Sequence, residues 1–332
     1  MDEIGGDPGA AFPADGLQGL FDITDRLLGK IGQRVGWLGK LRYEGMLTAK
    51  GLFLGLIGLF LLLLLPPAVG WLLRRCGRME ANFRGERIMQ SYGLVILFWA
   101  GSLFAATGYV LSARRTESLQ WLTLIVGFGA LGFADDTWGD KKIKGLRGHF
   151  AALFHDHKVT TGFLKAAGGV GLALYIAHCL YPESVWRTLL AAALIALCAN
   201  AVNLLDLRPG RAGAAFLLSA VPLCFYSVYC SVYCSVYCGT AGAPPLLLVV
   251  IPGIVVWNRD ARGKVMLGDA GSNLLGASLG TAVAAGIVPL PFQLFVLLML
   301  IALHLLAEKR SLTTLIENNR FLRRLDRLTG VR

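Results

Sequence analysis

The sequence has few charged residues, and this scarcity argues against an ordinary soluble domain. Asp, Glu, Lys and Arg make up 16% of the 332 residues, whereas soluble domains carry about 25% charge. The deficit lies in long apolar runs, and the first, Gly51 to Leu73, contains no charged residue. About 20 apolar residues cross a bilayer as a helix. We therefore predict an all-α, polytopic integral membrane helical bundle.

A cleavable signal peptide is not predicted, because the first apolar run begins too late and is too long. About nine transmembrane helices are expected in all. They lie near 51–73, 93–112, 118–134, 162–181, 188–205, 212–238, 244–257, 266–288 and 291–307. This pattern divides the chain into an N-terminal extension (1–50), a transmembrane domain (51–307) and a basic tail (308–332).

The distribution of positive charge predicts the orientation in the membrane. The net charge is +11, and one side of the predicted membrane, with Lys165 included, holds 23 of the 32 Lys and Arg residues. That side consists of the alternate loops 74–92, 135–161, 206–211 and 258–265 and the tail from residue 308. The opposite short loops hold three. Because positively charged loops stay cytoplasmic, the richer side is predicted to face the cytoplasm. Charge spread over short loops beside lipid does not favour a nucleic-acid partner.

Six further Lys and Arg residues lie within 1–50, which this arrangement places on the opposite side. Residues 17–42 have an amphipathic pattern. We therefore expect an interfacial helix there, lying in the membrane plane rather than crossing it.

The seven cysteines lack the CxxC spacing of a structural metal site. Cys230, Cys234 and Cys238 belong to a threefold SVYC repeat, whose four-residue spacing places them along one helix face. A metal or redox cluster would need other convergent ligands, and no His or carboxylate lies nearby. A packed or lipid-facing helix is therefore favoured.

Acidic residues near membrane helices are costly and usually functional. The first acidic block is GFADDTWGDKKIKGLRGHF, in which Asp135 and Asp136 end the third span. Adjacent carboxylates repel one another unless a cation lies close, and oxygen ligands suit Mg²⁺. Lys141 and Lys144 follow, which suits phosphate groups. The alternative is a solvated loop whose lysines extend to water.

The second block is CANAVNLLDLRPGRAG, near the end of the fifth span. Asn200, Asn203 and Asp206 recur every three residues and so share one helix face. Asn side chains both donate and accept hydrogen bonds, which suits a base or ribose. A capped helix end followed by a turn is the alternative.

The third block is VMLGDAGSNLLG, in which Asp269 stands between glycines in apolar sequence. Gly268 and Gly271 would allow close approach of a ligand to the backbone. Asp269 could alternatively serve only as a helix N-cap. All three blocks are predicted to lie at the same face of the membrane.

Together these blocks resemble the polyprenyl-phosphate N-acetylhexosamine-1-phosphate transferase family. The family motifs read here as GFADD, NAVNLLD and MLGDAGS, in the same order, and ANFRGERIMQSYG is similar to its first cytoplasmic loop. Lys165, in TTGFLK, stands where the family often has a phosphate-binding Lys. The resemblance covers about residues 80–307.

The resemblance implies transfer of a sugar 1-phosphate from a UDP-N-acetylhexosamine to undecaprenyl or a similar polyprenyl phosphate. It implies that the site lies in a transmembrane catalytic domain, on the cytoplasmic face of the plasma membrane. It also implies a homodimer. The implied catalytic residues are Asp135, Asp136 and Asp269. Mg²⁺, or alternatively Mn²⁺, would be held by Asp269, Asp135 and Asp206. The implied substrate-binding residues are Asn200, Asn203, Asp206, Lys165, Lys141, Lys144 and Gly268.

Three departures from the family pattern keep other functions open. Gly139 replaces a Lys or Asn, Pro209 replaces a second Asp, and the His-rich loop near the C-terminus is absent from this sequence. His304 is isolated in an apolar span, where packing is the expected role. A catalytically inactive relative, or a transporter or lipid-binding protein, are the alternatives.

Overall fold

The computed structural model describes residues 49–82, 84–111, 114–139, 160–238 and 245–331. Side chains are not described for residues 231–238, nor for Ala49 and Ile287. The amphipathic helix predicted within 17–42 lies outside these ranges, as do Lys141 and Lys144.

The described part of the chain is mostly helical and contains eleven α-helices. In chain order they are α1 (Ala49–Arg75), α2 (Leu94–Val110), α3 (Arg115–Trp138), α4 (Thr161–Leu180), α5 (Val185–Leu205), α6 (Arg211–Cys238), α7 (Leu247–Asp260), α8 (Gly268–Ala282), α9 (Leu290–Lys309), α10 (Leu312–Asn318) and α11 (Arg320–Thr329). A π-helical turn, Val283–Ile287, extends α8.

Each of the nine predicted spans contains one helix, from α1 to α9 in chain order. In the described ranges, however, only α1, α3, α4, α5, α6 and α9 are long and apolar enough to cross a membrane. The other three, α2, α7 and α8, have 17, 14 and 15 residues. The prediction of a helical membrane bundle is confirmed, but the count of nine spans is not. Pro252 lies inside α7, and the chain kinks at Gly286 after α8.

Successive helices of the bundle alternate in direction, which brings all three acidic blocks to one end. There α3 and α5 end, at Trp138 and Leu205, and α4 and α8 begin, at Thr161 and Gly268. We call this end of the bundle the site end.

The buried helix α8 is the centre of the bundle, and it packs against α3 and α5. Its glycines permit this close packing. A Cβ atom on Gly276 would lie 2.6 Å from the Cα of Ala199, and one on Gly280 would lie 2.7 Å from the Cα of Ile195, both on α5. The position of α8, and hence of Asp269 at its start, therefore depends on the absence of side chains along its contact with α5.

A short antiparallel hairpin, which the all-α prediction missed, holds the segment that precedes α8. Its strands are β1 (Met79–Ala81) and β2 (Arg87–Met89). Met266 N–H donates to Met89 O at 2.8 Å, and Tyr92 N–H donates to Met266 O at 2.9 Å. These backbone bonds fix the direction in which the chain enters α8.

We predict that Gly276→Val destabilises the folded bundle, because the new side chain must displace the backbone of α5. Overpacking of this kind costs about 1–3 kcal/mol. Thermal unfolding of the detergent-solubilised protein measures the effect. Gly55→Val on α1 is the matched control, since nothing lies within 4 Å of a Cβ atom there. Equal melting temperatures for the two variants would contradict the packing described above.

Candidate active site

Lys165 joins two of the acidic blocks at the site end. Its ammonium group lies 3.2 Å from Asp135 Oδ2 and also bonds Asp269 Oδ2. Asp135 stands near the end of α3, Lys165 in the first turns of α4, and Asp269 in the first turn of α8. All three side chains are largely shielded from solvent. Because two carboxylates so close would otherwise repel, the Lys165 charge holds three helices together at this point.

Asn203, on the last turn of α5, brings the remaining block into the same cluster. In the amide orientation that satisfies its neighbours, its NH₂ group donates to Asp269 Oδ1 at 3.0 Å and to Ser272 Oγ at 2.8 Å. Its oxygen then accepts from Lys165 at 3.3 Å. Asn203 therefore fixes the side chains of both Lys165 and Asp269.

Asp136 has a different environment from its neighbour Asp135. Its carboxylate accepts from Ser91 Oγ at 2.7 Å and from the backbone N–H groups of Asp269 and Ala270 at 3.1 and 3.2 Å. The first N–H groups of a helix have no partner within the helix, and negative charge is favourable there. Asp136 thus caps α8 from α3 and positions the backbone of Asp269.

The backbone at Gly268 requires glycine for two reasons. Its φ is +74°, a conformation that side chains disfavour. A Cβ atom there would also lie 2.7 Å from Asp136 Oδ2 and 2.8 Å from Ser91 Cα. In this structure Gly268 allows Asp136 and Ser91 to approach its backbone closely.

A cavity of about 220 Å³ opens beside the cluster. Four carboxylates line it, one from each of the three acidic blocks and one from α7. Polar and apolar groups of the hairpin and loops complete the lining. The lining residues are Asn82, Ile88, Gln90, Asp136, Asp206, Leu207, Arg208, Pro209, Asp260, Val265, Met266, Gly268 and Asp269. Asp269 faces both the cavity and Lys165, so it connects the two parts of the site.

The cavity has a surplus of negative charge around Asp206. Burial raises the pKa of the Asp206 carboxyl well above its usual range, and the carboxylates of Asp260, Asp269 and Asp136 raise that pKa further. A carboxyl in this position ionises readily when a cation lies beside it.

The donor set fits a hard divalent cation held jointly with a ligand. Oxygen atoms are what Mg²⁺ prefers, and it is usually bound by one or two carboxylates plus substrate phosphates rather than by a complete protein cage. Among the described residues, no three Asp, Glu, His or Cys side chains are grouped so as to hold an ion by themselves. Asp206 and Asp269 both line the cavity, whereas Asp135 does not line it and bonds Lys165.

The remaining predicted residues divide into two groups. Asn200 lies one turn before Asn203 on α5, its side chain is exposed, and no hydrogen bond within the described residues joins it to the cluster. Lys141 and Lys144 lie in the undescribed range 140–159. The structure therefore brings together Asp135, Lys165, Asn203, Asp206 and Asp269, but not Asn200.

Sequence analysis missed two contributors to the site. Asp260, at the end of α7, is buried and accepts from the Gly210 backbone N–H at 2.7 Å. Ser91 follows the hairpin and binds Asp136. The block ANFRGERIMQSYG pointed to the Ser91 region without giving any residue a role, whereas the surroundings of Asp260 in WNRDARGK carried no such signal.

Comparison with known proteins identifies the family. The sequence pattern of glycosyl transferase family 4 matches residues 118–287, just over half of the chain. The chain belongs to glycosyl transferase family 4. This confirms the resemblance to polyprenyl-phosphate N-acetylhexosamine-1-phosphate transferases.

Relatives from mycobacteria carry the name decaprenyl-phosphate N-acetylglucosaminephosphotransferase. The Mycobacterium leprae protein is 28% identical over 199 residues, which is 57% of this chain and 46% of that protein. The Mycolicibacterium smegmatis protein is 29% identical over 162 residues, covering 46% and 37%. The Mycobacterium tuberculosis protein is 28% identical over 196 residues, covering 56% and 45%. The chain thus spans less than half the length of these relatives.

Two of the three departures from the family pattern, Gly139 and Pro209, now have a structural setting. Gly139 ends α3, and a Cβ atom there would lie 3.0 Å from Asp135 Oδ1. Pro209 lines the cavity wall in the turn between Asp206 and Arg211.

The C-terminal segment of this family member packs against that turn. Arg211 donates to Asp326 on α11 through Nε at 2.7 Å and through Nη2 at 3.1 Å, and both side chains are buried. Val331 N–H donates to Ala261 O at 2.8 Å. The cavity wall is therefore supported by residues more than one hundred positions away in sequence.

We predict that Asp326→Ala destabilises the protein by about 3–5 kcal/mol, because it leaves the Arg211 charge buried without its partner. Glu317→Ala is the matched control, since it removes the more exposed Arg208–Glu317 pair, which should cost less than about 1 kcal/mol. Thermal unfolding in detergent measures both. A smaller loss for Asp326→Ala than for Glu317→Ala would contradict the support of the turn by α11.

Proposed function

We propose that this chain transfers an N-acetylhexosamine 1-phosphate from a UDP-sugar to a polyprenyl phosphate and releases UMP. The observation that carries the proposal is the Lys165 cluster beside a carboxylate-lined cavity, at the end of a membrane bundle of glycosyl transferase family 4. A site at the end of a membrane bundle suits one membrane-bound substrate and one water-soluble substrate. The lipid acceptor remains in the membrane while the nucleotide enters from water.

The chemistry needs charge neutralisation more than a general base. A phosphate monoester has a second pKa near 6, so the acceptor is already mostly ionised at neutral pH. One of its oxygens bonds to the sugar-bound phosphorus of the donor, and the bond from that phosphorus to UMP breaks. Phosphoryl transfer depends chiefly on in-line placement and on stabilising the charge of the phosphates.

The residues of the cluster would divide this work. Lys165 would hold a phosphate with its ammonium group, kept in position by Asp135 and Asn203. Asp136 would hold the start of α8 so that Asp269 faces the cavity. Asp269 and Asp206 would hold Mg²⁺, which supplies positive charge to the phosphates when it is bound.

The charge distribution supports a cytoplasmic orientation of the site. The site end lies with the loops and tail that carry 23 of the 32 Lys and Arg residues. By the positive-inside rule this end faces the cytoplasm, where nucleotide sugars are available, and the membrane would be the plasma membrane. Synthesis of a cell-wall or surface glycan is the pathway class that consumes a lipid-linked diphosphosugar.

A transporter would place its ionisable residues near the middle of the membrane, on interrupted helices. Here Asp135, Asp206 and Asp269 lie at helix ends, and family membership points to a transferase. An inactive relative would share this arrangement, so activity itself must be measured.

We predict that the purified protein releases UMP from a UDP-N-acetylhexosamine when Mg²⁺ and undecaprenyl phosphate are present, and that a chelator stops release. Quantifying UMP by chromatography measures the reaction. No release with any UDP-N-acetylhexosamine, from protein shown to be folded, would contradict the proposed transfer.

We further predict that Asp269→Asn lowers turnover by about 100-fold or more, as expected when a charge-stabilising group of the site is lost. The variant should remain folded, because Lys165 keeps its ion pair with Asp135. Glu117→Gln is the matched control, because Glu117 is exposed and pairs with Arg114 at the opposite end of the bundle. Unchanged turnover in Asp269→Asn would exclude Asp269 from the proposed role.

A further inference from the structure

The helix α11, Arg320–Thr329, presents two exposed stripes of opposite character. Its arginines, Arg320, Arg323, Arg324 and Arg327, are all exposed. Phe321, Leu325 and Leu328 recur at helical spacing on an adjacent stripe, where 73%, 41% and 81% of each side chain is accessible. A short helix with a basic stripe beside an apolar one is typical of helices that lie in the membrane surface.

The docking of α11 places it at the depth of that surface. Its Asp326 binds Arg211, which is the first residue of α6 and so marks one end of a candidate membrane span. The preceding span, α9, ends at Lys309, and only two residues separate it from α10. The level of a spanning helix end is the level of the lipid headgroups.

The charge of α11 identifies its partner. Asp326 is its only acidic residue, and it is already paired with Arg211, so the remaining charged groups of the helix are all positive. A second copy of this chain docking through the same surface would bring arginines against arginines. Anionic lipid headgroups attract basic residues, and the acyl boundary below them accepts apolar side chains.

We propose that α11 binds the anionic phospholipid headgroups that surround the site end of the bundle. Its arginines contact the lipid phosphates, and Phe321, Leu325 and Leu328 enter the boundary between headgroups and acyl chains. This inference depends on the chain being a membrane protein, and it does not depend on the proposed transferase activity.

Hydrogen–deuterium exchange of the full-length protein tests the proposal. The protein would be placed, one chain per disc, in nanodiscs of phosphatidylcholine alone or with about a third phosphatidylglycerol. We expect exchange of residues 320–329 to be at least about tenfold slower in the anionic discs, because four arginines interact with the lipid charge.

The variant R320Q/R323Q/R324Q/R327Q should lose this difference between the two lipids. It retains Asp326 and Arg211, so unchanged exchange of residues 206–211 would show that α11 is still docked. The control R114Q/R115Q/R187Q removes arginines at the opposite end of the bundle and should keep the difference.

Two results would overturn the proposal. The first is equal exchange of α11 in both lipid compositions. The second is protection that depends on having two chains in a disc and not on lipid charge, since that would identify a second copy of the chain as the partner.

Discussion

The contact of the Lys165 ammonium group with Asp135 and Asp269 is the interaction on which the site depends. Each residue comes from a different helix, so this one positive charge sets the mutual position of α3, α4 and α8 at the site end. Charges this far from water are tolerated only when they are paired and hydrogen-bonded. Asn203 supplies further hydrogen bonds and includes α5 in the same arrangement. The contact also places the Lys165 ammonium group and the two carboxylates where phosphate chemistry would need them.

The rest of the bundle keeps that contact in place through backbone geometry and a few further charged groups. Glycines let α8 lie against α5, while the hairpin and Asp136 fix the start of α8. On the far side of the cavity, the turn from Asp206 to Arg211 is supported by the C-terminal helices. The cavity therefore has one wall set by helix packing and another set by a buried ion pair.

The sequence was sufficient to predict the helical bundle, its family and the common end of the three acidic blocks, because hydrophobic runs and motif order are local signals. It gave both Asp135 and Asp136 a catalytic role and named Asp135 as a metal ligand, but it could not show that their orientations on α3 give them different partners. It placed Asn200 with Asn203 by helical spacing, yet only Asn203 reaches the cluster. The hairpin, Asp260 and the Arg211–Asp326 pair depend on contacts between distant segments, which periodicity and motifs do not encode.

We propose that separated acidic segments form one phosphate-binding site at one end of the bundle. A structure of the protein in lipid with UMP and Mn²⁺, using anomalous scattering to locate the metal, tests this most directly. We expect a metal peak beside Asp269 and nucleotide density in the cavity lined by Asp206 and Asp260. Nucleotide bound elsewhere, or Asp206 and Asp269 opening toward different sides of the bilayer, would contradict it.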